Sequence, residues 1–408
     1  MMRSLFSGIS GLRNHQTRMD VIGNNIANIN TVAFKSSRVN FQEVFSQTLR
    51  GGSSPGEYAG GQDPMQIGLG MALGSIDSVN IPGNVQTTGL MTDMAIQGDG
   101  FFILSDGSGK YYSRAGDLRR DGQDYLVSVQ GMRVKGWMAA SGEFGTRNRE
   151  TMTDLRIPMG KGIPAKPTEA AQFTRNLDSG APVGTQVNVA FGAYDSLGNS
   201  HDVTVSFEKT AGLREWTWTA TGAGVAPGST GTIIFGPDGA FDSEDEGLIT
   251  IAAPAAEDIV IDPQFDEMTQ FSSPDGVSTA ELSGSDGSGP GVLKSFTVDS
   301  QGVITGAYSN GANQPIAQVA LAFFPNPAGL LKIGEGLSIE TANAGLCRVD
   351  APGSSGTGAI APASLEMSNV DLAAEFTNMI ITQRGFQASS RIITASDEML
   401  QELANLKR

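Results

Sequence analysis

The chain has 408 residues, more than one hydrophobic core usually supports, so we expect two or more domains. Its 53 glycines and 18 prolines, with 17% charged residues, favour many turns and short strands over a helical enzyme. The net charge of −16 argues against nucleic acid and anionic lipid as partners, because both require a basic surface.

Cysteine content and hydropathy limit the cellular setting. The single cysteine, Cys347, excludes an internal disulfide framework. No apolar run reaches the roughly 18 residues of a membrane span, so we expect no membrane insertion. The opening MMRSLFSGISGLRNHQ has an interrupted apolar patch and no small-residue cleavage site after it, so we expect no cleaved secretory signal.

A long helix is predicted at each end of the chain, over 1–30 and 365–408. Both segments carry apolar residues every three or four positions, a narrow stripe typical of helices that pair as a coiled coil. Ser368 or Asn369 is the expected N-cap of the second helix. The stripe comprises Leu5, Ile9, Leu12, Met19, Ile22 and Ile26 in the first helix, and Leu372, Phe376, Met379, Phe386, Ile393 and Leu400 in the second.

Between the helices the apolar period changes to two, which predicts β-strands. Alternating residues run through 187–191, 203–207 and 216–218, separated by the turn sequences SLGN and TAGL. We interpret this stretch as an antiparallel meander with one buried face. The predicted fold class is therefore multidomain α+β, with paired terminal helices and two mainly antiparallel β domains nested between them.

Three segments rich in glycine, serine and proline suggest hinges or boundaries, at 51–70, 272–291 and 350–364. The simplest nesting pairs 1–30 with 365–408 and pairs a core β domain of 71–145 with 285–364. A connecting segment then covers 31–70, and a separate β domain is inserted at 146–284.

Signals for enzymatic chemistry are scarce. The two histidines, His15 and His201, lie on different predicted elements, which argues against a histidine-rich metal site. The acidic run GPDGAFDSEDEG lacks the loop glycine of an EF-hand. Trp216 and Trp218 share one strand face and favour a core role over a sugar platform. We expect no enzyme activity, no metal and no cofactor.

Four asparagines, Asn24, Asn25, Asn28 and Asn30, crowd the end of the first helix. They fit a helix C-cap, and they equally fit a polymer interior in which amides bond to a neighbouring subunit. The terminal helices also carry large apolar residues beside the stripe, including Phe6 and Ile380. Further copies of the same chain are the simplest way to bury these apolar residues. Head-to-tail contacts between copies that do not close into a ring build a helical filament.

A sequence pattern follows the first helix. The pattern Ala-Asn-x-x-Thr-x-Gly-Phe-Lys is matched at Ala27, Asn28, Thr31, Phe34 and Lys35, whereas Ala33 replaces the glycine, which argues against a positive φ there. In this pattern the chain resembles the bacterial flagellar rod and hook proteins. The blocks NVQTTGLMTDMAIQGDGFFIL, YYSRAGDLRRDGQDYLVSVQGMRVKGW and SNVDLAAEFTNMIITQRGFQASSRIITASDEMLQEL are also similar to family motifs. The insertion favours the hook members over the shorter rod members.

This resemblance implies a non-enzymatic subunit of a curved tube, a universal joint that passes motor torque from rod to filament. It implies secretion through the flagellar type III export apparatus to an extracellular position in the flagellum. Expected partners are the chain itself, the distal rod protein, the hook cap protein and the hook–filament junction protein. The expected polymer interface is formed by Leu5, Ile9, Leu12, Met19, Ile22, Asn25, Ile26, Asn28, Thr31, Phe34, Lys35, Leu372, Phe376, Met379, Ile380, Phe386, Ile393, Leu400 and Leu403.

Two other functions remain open from the sequence. The first is another axial flagellar part, such as the distal rod protein or a hook–filament junction protein. The second is a secreted adhesin or sugar-binding β protein that uses Trp216 and Trp218, although it leaves the terminal helices unexplained.

Overall fold

The computed structural model describes residues 2–52, 54, 60–140, 142–212, 214–244, 247–254, 256–354 and 356–405. The chain forms two compact units. Unit 1 comprises Met1–Ile157, Thr297–Thr305 and Pro315–Arg408, and unit 2 comprises Pro158–Phe296 and Gly306–Gln314.

Unit 1 contains both helices, the strands before residue 158 and most of the strands after residue 296. Its first elements are α1 (Met2–Ala27), β1 (Ser37–Glu43), β2 (Ser46–Arg50), β3 (Met65–Gly68), β4 (Met71–Ser78), β5 (Val85–Thr87), β6 (Met94–Gln97), β7 (Phe101–Ser105), β8 (Lys110–Ser113), β9 (Arg119–Arg120), β10 (Leu126–Val127), β11 (Arg133–Met138) and β12 (Thr153–Asp154).

The chain then forms β13 (Gly162–Ile163), β14 (Ala170–Asn176), β15 (Gln186–Tyr194), β16 (Ser200–Lys209), β17 (Glu215–Gly222), β18 (Thr230–Phe235), β19 (Phe241–Glu244), β20 (Ile249–Ile251), β21 (Ile259–Thr269) and β22 (Glu281–Ser285) in unit 2. It passes between the units within β23 (Gly291–Val298), β24 (Val303–Tyr308) and β25 (Asn313–Val319). Back in unit 1 it forms β26 (Leu321–Phe323), β27 (Leu331–Gly334), β28 (Leu337–Ile339), β29 (Arg348–Asp350), β30 (Ala359–Pro362), β31 (Ser364–Glu366) and α2 (Leu372–Asn405).

Strands from before and after unit 2 pair with each other in unit 1. β11 pairs with β25, β7 with β26, and β8 with β28, all antiparallel. Next to them, β30 pairs with β6 and β31 with β5. β31 ends at Glu366 and α2 begins six residues later, at Leu372. The pairing of β31 with β5 therefore holds the start of the second helix near these strands.

Unit 2 is built from two sheets whose apolar faces share one core. One sheet has the order β15-β16-β17-β18-β19 and the other β20-β21-β14-β22. The aromatic rings of Phe173 and Phe207, one from each sheet, lie 5.7 Å apart. Trp216 and Trp218 are fully buried in this core. The predicted meander and the core role of both tryptophans are confirmed, and a sugar platform at these residues is excluded.

Two of the segments predicted as hinges are hydrogen-bonded into sheets. The segment 272–291 contains β22, which pairs with β14, and the carboxylate of Asp286 accepts bonds from the backbone of Glu169 and Ala170. The segment 350–364 contains β30, which pairs with β6. Glycine and serine therefore flank short paired strands in these two segments, and hinge motion there stays a prediction.

The architecture is mostly β, with the N-terminal and C-terminal helices packed together. Within the described residues, neither helix has an apolar stretch long enough to cross a membrane. The described antiparallel pairings outnumber the parallel one, which joins β14 to β21. This agrees with the α+β class expected from the sequence.

Candidate functional site

The two terminal helices approach each other along a row of small residues. A Cβ built on Gly8 would lie 3.2 Å from Ile393 Cγ1, and one on Gly11 would lie 2.8 Å from Ser389 Oγ. A Cβ on Gly385 would lie 2.6 Å from the ring of His15. Because glycine has no side chain, it lets the backbones come this close. The closest approach therefore places glycines of α1 against Ser389 and the stripe residue Ile393 of α2.

Polar side chains extend this row toward both helix ends. Ser4 Oγ and Ser396 Oγ are 3.4 Å apart, and Arg18 Nη2 donates to Asn378 Oδ1 at 3.4 Å. Thr382, Ser389 and Ser396 are buried at seven-residue spacing on α2. A seven-residue repeat of buried positions keeps one face of a helix against its partner.

The predicted interface residues are spread over all degrees of burial. Those on the helix flanks include Phe376 and Ile380, the latter 58% exposed. Phe6 of α1, which is not in the predicted set, is 61% exposed. Leu403 has a described backbone, but its side chain lies outside the description. Exposed positions are Thr31, Leu372, Phe376, Ile380 and Leu400; half-buried positions are Leu5, Ile9, Leu12, Met19, Ile26, Asn28, Phe34, Met379, Phe386 and Ile393; buried positions are Ile22, Asn25 and Lys35.

Two of the four asparagines at the end of α1, Asn25 and Asn28, use their side chains for bonds within their own chain. Asn25 donates to Ser37 O at 2.9 Å and to Glu375 Oε1 at 3.1 Å, and its Oδ1 accepts from Ser37 N at 3.0 Å. Asn28 Nδ2 donates to Asn24 O at 2.9 Å. Asn25 thus joins both helices to β1, while Asn28 caps the helix end.

Ala33 adopts the left-handed conformation, with φ of 56°. The expectation that alanine prevents a positive φ here is wrong. Its N–H donates to Glu366 O at 2.7 Å, which holds the turn against β31. A non-glycine residue in this region costs roughly 1–2 kcal/mol, so the surrounding bonds offset local strain.

Behind this turn lies a buried cluster of two cations and one carboxylate. Lys35 Nζ donates to Glu366 Oε1 at 2.5 Å and to Ile81 O at 2.8 Å. Arg114 Nε lies 3.3 Å from Glu366 Oε2, and its Nη1 donates to Gly98 O at 2.7 Å and to Gly100 O at 2.9 Å. Burial lowers the pKa of Lys35, and the bond to Glu366 opposes that effect.

Glu366 also accepts from Gly83 N at 2.8 Å, so one carboxylate joins four segments of unit 1. The side chains of Lys35, Arg114 and Glu366 are each more than nine-tenths buried. The Lys35 side chain is therefore bonded within its own chain, and its place in a polymer interface stays a prediction. The sequence analysis singled out Lys35 but missed its partners, because nothing local links position 35 to positions 114 and 366.

The N-cap of α2 is Asp371. Its carboxylate accepts from Ala373 N at 2.9 Å and Ala374 N at 3.2 Å. The prediction of Ser368 or Asn369 is wrong, because the Asn369 amide is used elsewhere: it accepts from Ser36 N and donates to Val79 O. The helix accordingly begins at Leu372, two or three residues later than a cap at Ser368 or Asn369 implies.

Four family models match the chain in consecutive order. They are the flagella basal body rod protein (5–35), the flagellar hook protein FlgE/F/G D1 domain (95–176), the flagellar basal body protein FlaE D2 domain (163–285) and the flagellar basal body rod FlgEFG protein C-terminal region (361–406). With the paired helices, these matches define a flagellar axial protein of the rod and hook class.

The similarity to individual proteins is more specific. The chain is 39% identical to the flagellar hook protein FlgE of Treponema pallidum and 40% identical to that of Borreliella burgdorferi, with 100% of both chains covered in each case. The chain belongs to the flagellar hook protein family, whose members are structural proteins of the flagellum. The crystal structure of Helicobacter pylori FlgE2 supports the fold, with a TM-score of 0.51 and 13% identity over 70% of this chain and 100% of that one.

Proposed function

We propose that this chain is the subunit of a curved, flexible hook that joins rod to filament and transmits torque. One observation carries the proposal: the terminal helices pair through small residues and leave large apolar side chains, such as Phe6 and Ile380, exposed on their flanks. Covering one such side chain contributes about 1.5–3 kcal/mol. Further copies of the helix pair supply that cover.

The segments take distinct roles in this assembly. Residues 1–30 and 365–408 line the inner tube as a coiled coil, and 31–70 braces neighbouring subunits. The core β domain of 71–145 with 285–364, and the inserted domain of 146–284, form outer layers. The excess of acidic residues in these layers keeps contacts between the outer domains of neighbouring subunits weak, so that these surfaces can slide past each other. The charge repulsion responsible acts within about 10 Å at 0.1 M salt.

The remaining partners follow from a place between rod and filament. The chain meets the distal rod protein at one end of the tube and the hook–filament junction protein at the other. It leaves the cell through the flagellar type III export apparatus and assembles beneath the hook cap protein. Such export delivers an extracellular subunit whose helices pair with neighbours after secretion.

A second axial function, as a distal rod or junction protein, is the main alternative. The match of 163–285 to the FlaE D2 domain favours the hook, since the rod members of the class are expected to lack a large insertion. Electron microscopy of a deletion strain separates the two. Loss of the hook with an intact rod supports our proposal, and loss of the distal rod contradicts it.

Assembly of purified full-length protein tests the role of the helix flanks. Ile380→Asp places a charge on an exposed apolar position of α2, and we expect it to prevent tube formation while the circular dichroism of the monomer is unchanged. Ile380→Leu keeps an apolar side chain at the same position, is the matched control and should assemble. Tubes formed by Ile380→Asp at the parental yield would overturn the proposal.

A further inference from the structure

Strand β15 is an open edge of the five-stranded sheet in unit 2. It pairs with β16 along its whole length, from Gln186 to Tyr194, and with no other strand among the described residues. Its register is continuous, and the strand contains no proline and no charged side chain. Bulges, prolines and charged side chains are the features that normally protect an edge strand from pairing with another chain. β15 therefore lacks all three kinds of protection.

Alternate residues of β15 direct their backbone groups away from β16. The N–H of Tyr194 donates to Thr168 Oγ1 at 2.9 Å, and its carbonyl oxygen accepts from Thr168 N at 3.0 Å, so both groups point to the open side. In an antiparallel pair this orientation recurs at every second residue. Asn188, Ala190 and Gly192 therefore present their N–H and C=O groups on the same side, where the described part of the chain provides no hydrogen-bond partner for them.

An open groove with a volume of about 660 Å³ runs beside this edge. Its other wall is β22, the edge strand of the second sheet of unit 2. The inner side of the groove is formed by core residues, the buried Val189 and Phe191 and the half-buried Leu282. Successive side chains of a strand point to opposite faces. A strand added to β15 would therefore place every second side chain against this apolar inner side.

The outer face beside the groove is acidic. Asp202 lies on β16 opposite Gly192, and both it and Glu208 are exposed on the face that points away from the core. The described lining of the groove has no basic side chain, and its one charged side chain is Glu281, which pairs with Arg175. In unit 2 as a whole, acidic residues outnumber basic ones. A strand beside β15 would lie about 10 Å from β16, within the range of charge interactions at 0.1 M salt.

We propose that β15 binds an extended basic segment of another protein, which joins the five-stranded sheet as an additional strand. Asn188, Ala190 and Gly192 supply the main-chain hydrogen bonds. In strand addition these bonds provide affinity, and the alternate side chains provide specificity. The preferred segment alternates apolar residues, which face the inner side of the groove, with lysine or arginine, which face Asp202.

The charge of unit 2 argues for a different protein over a second copy. Pairing two β15 edges would bring two acidic units together, and like charges across an interface disfavour association. A basic segment gains from the same charge. The inference is separate from the proposed function, because it concerns another surface and another partner.

Binding of synthetic peptides to the full-length monomer tests this pairing. The probe is a fluorescent peptide of about seven residues that alternates valine and lysine. We expect saturable binding, measured by fluorescence anisotropy. A peptide that alternates valine and glutamate should bind at least about tenfold more weakly, because its charge is repelled by unit 2. A lysine peptide with methylated backbone nitrogens keeps the charge but cannot donate main-chain hydrogen bonds, and it should also lose at least about tenfold in affinity.

Two substitutions at one exposed position locate the contact. Ala190→Pro removes an outward N–H and leaves the bonds to β16 in place, and proline is tolerated on an edge strand. We expect it to weaken binding of the lysine peptide by about tenfold. Ala190→Val keeps the N–H, is the matched control and should bind within about twofold of the parent. In the parent, bound peptide should slow hydrogen exchange of the segment 186–194.

The peptides and variants together distinguish strand addition from charge attraction. Binding that requires the peptide N–H groups, the positive charge and the N–H of residue 190 supports the proposal. Equal binding of the lysine peptide and its N-methylated form overturns it, as does the absence of saturable binding at about 1 mM peptide. Self-association of the parent that Ala190→Pro abolishes would show that the edge takes a second copy, and would overturn the choice of partner. Failure of peptide binding leaves the proposed function standing, because tube formation is measured separately.

Discussion

Glu366→Gln tests whether the buried cluster anchors the first helix and its following turn to the sheets. The amide keeps the shape and can still accept the bonds from Lys35 and Gly83, but it removes the only negative charge of the cluster. Lys35 and Arg114 then remain as two buried cations without their carboxylate. Breaking a buried pair in this way costs about 3–5 kcal/mol.

Hydrogen exchange measured by mass spectrometry on the full chain reports this loss locally. Peptides that contain Ala33 N and Gly83 N, both bonded to Glu366, should exchange faster by a factor of about 100 or more, since 1.4 kcal/mol is tenfold. Glu281→Gln removes one side of a half-exposed surface pair with Arg175 and should change exchange little. If Glu366→Gln has as small an effect as this control, the cluster does not anchor the turn.

Three further predictions concern the helix pair. Asp371→Ala removes the N-cap of α2 and should destabilise that helix by about 1 kcal/mol, measured as faster exchange of its first turn, whereas Ser368→Ala should have little effect. Burial, reinforced by the charge of Arg18, lowers the pKa of His15 below 6.5. The unfolded state therefore takes up the proton first, and helix pairing should weaken as pH falls below about 6.5. His15→Gln should abolish this pH dependence of helix pairing, and a variant with the parental pH profile contradicts the prediction. Limited proteolysis of verified monomer should trim both ends and spare a core near 71–360, because uncovered helices pay their ordering cost without sufficient burial, and ends that resist digestion contradict this.

The sequence predicted elements whose patterns are local. Strict alternation at Val203, Val205 and Phe207 predicts β16, and the three-four spacing from Leu5 to Ile26 predicts α1. Helix ends were less certain because several residues compete for the same role. Ser368, Asn369 and Asp371 all suit an N-cap, and only the distant bonds of Asn369 to Ser36 and Val79 decide in favour of Asp371.

The candidate site was less predictable because its contacts join distant positions. Glu366 lies 331 residues from Lys35 along the chain, and no periodicity connects them. The row of small residues between the helices did leave a signal, since Gly8 and Gly11 are one helical turn apart. Counting apolar residues alone misses such a row, because close packing here depends on side chains that are absent.

Chemical accessibility of position 380 in the free chain and in the tube tests the central claim most directly. In the Cys347→Ala background, the thiol of Ile380→Cys should react with a maleimide at the rate of an exposed cysteine in the monomer, since Ile380 is 58% exposed. Assembled tubes should protect it by about tenfold or more as neighbouring helices cover that flank. Equal reactivity in monomer and tube would contradict the account, because the apolar flank would then remain uncovered in the polymer.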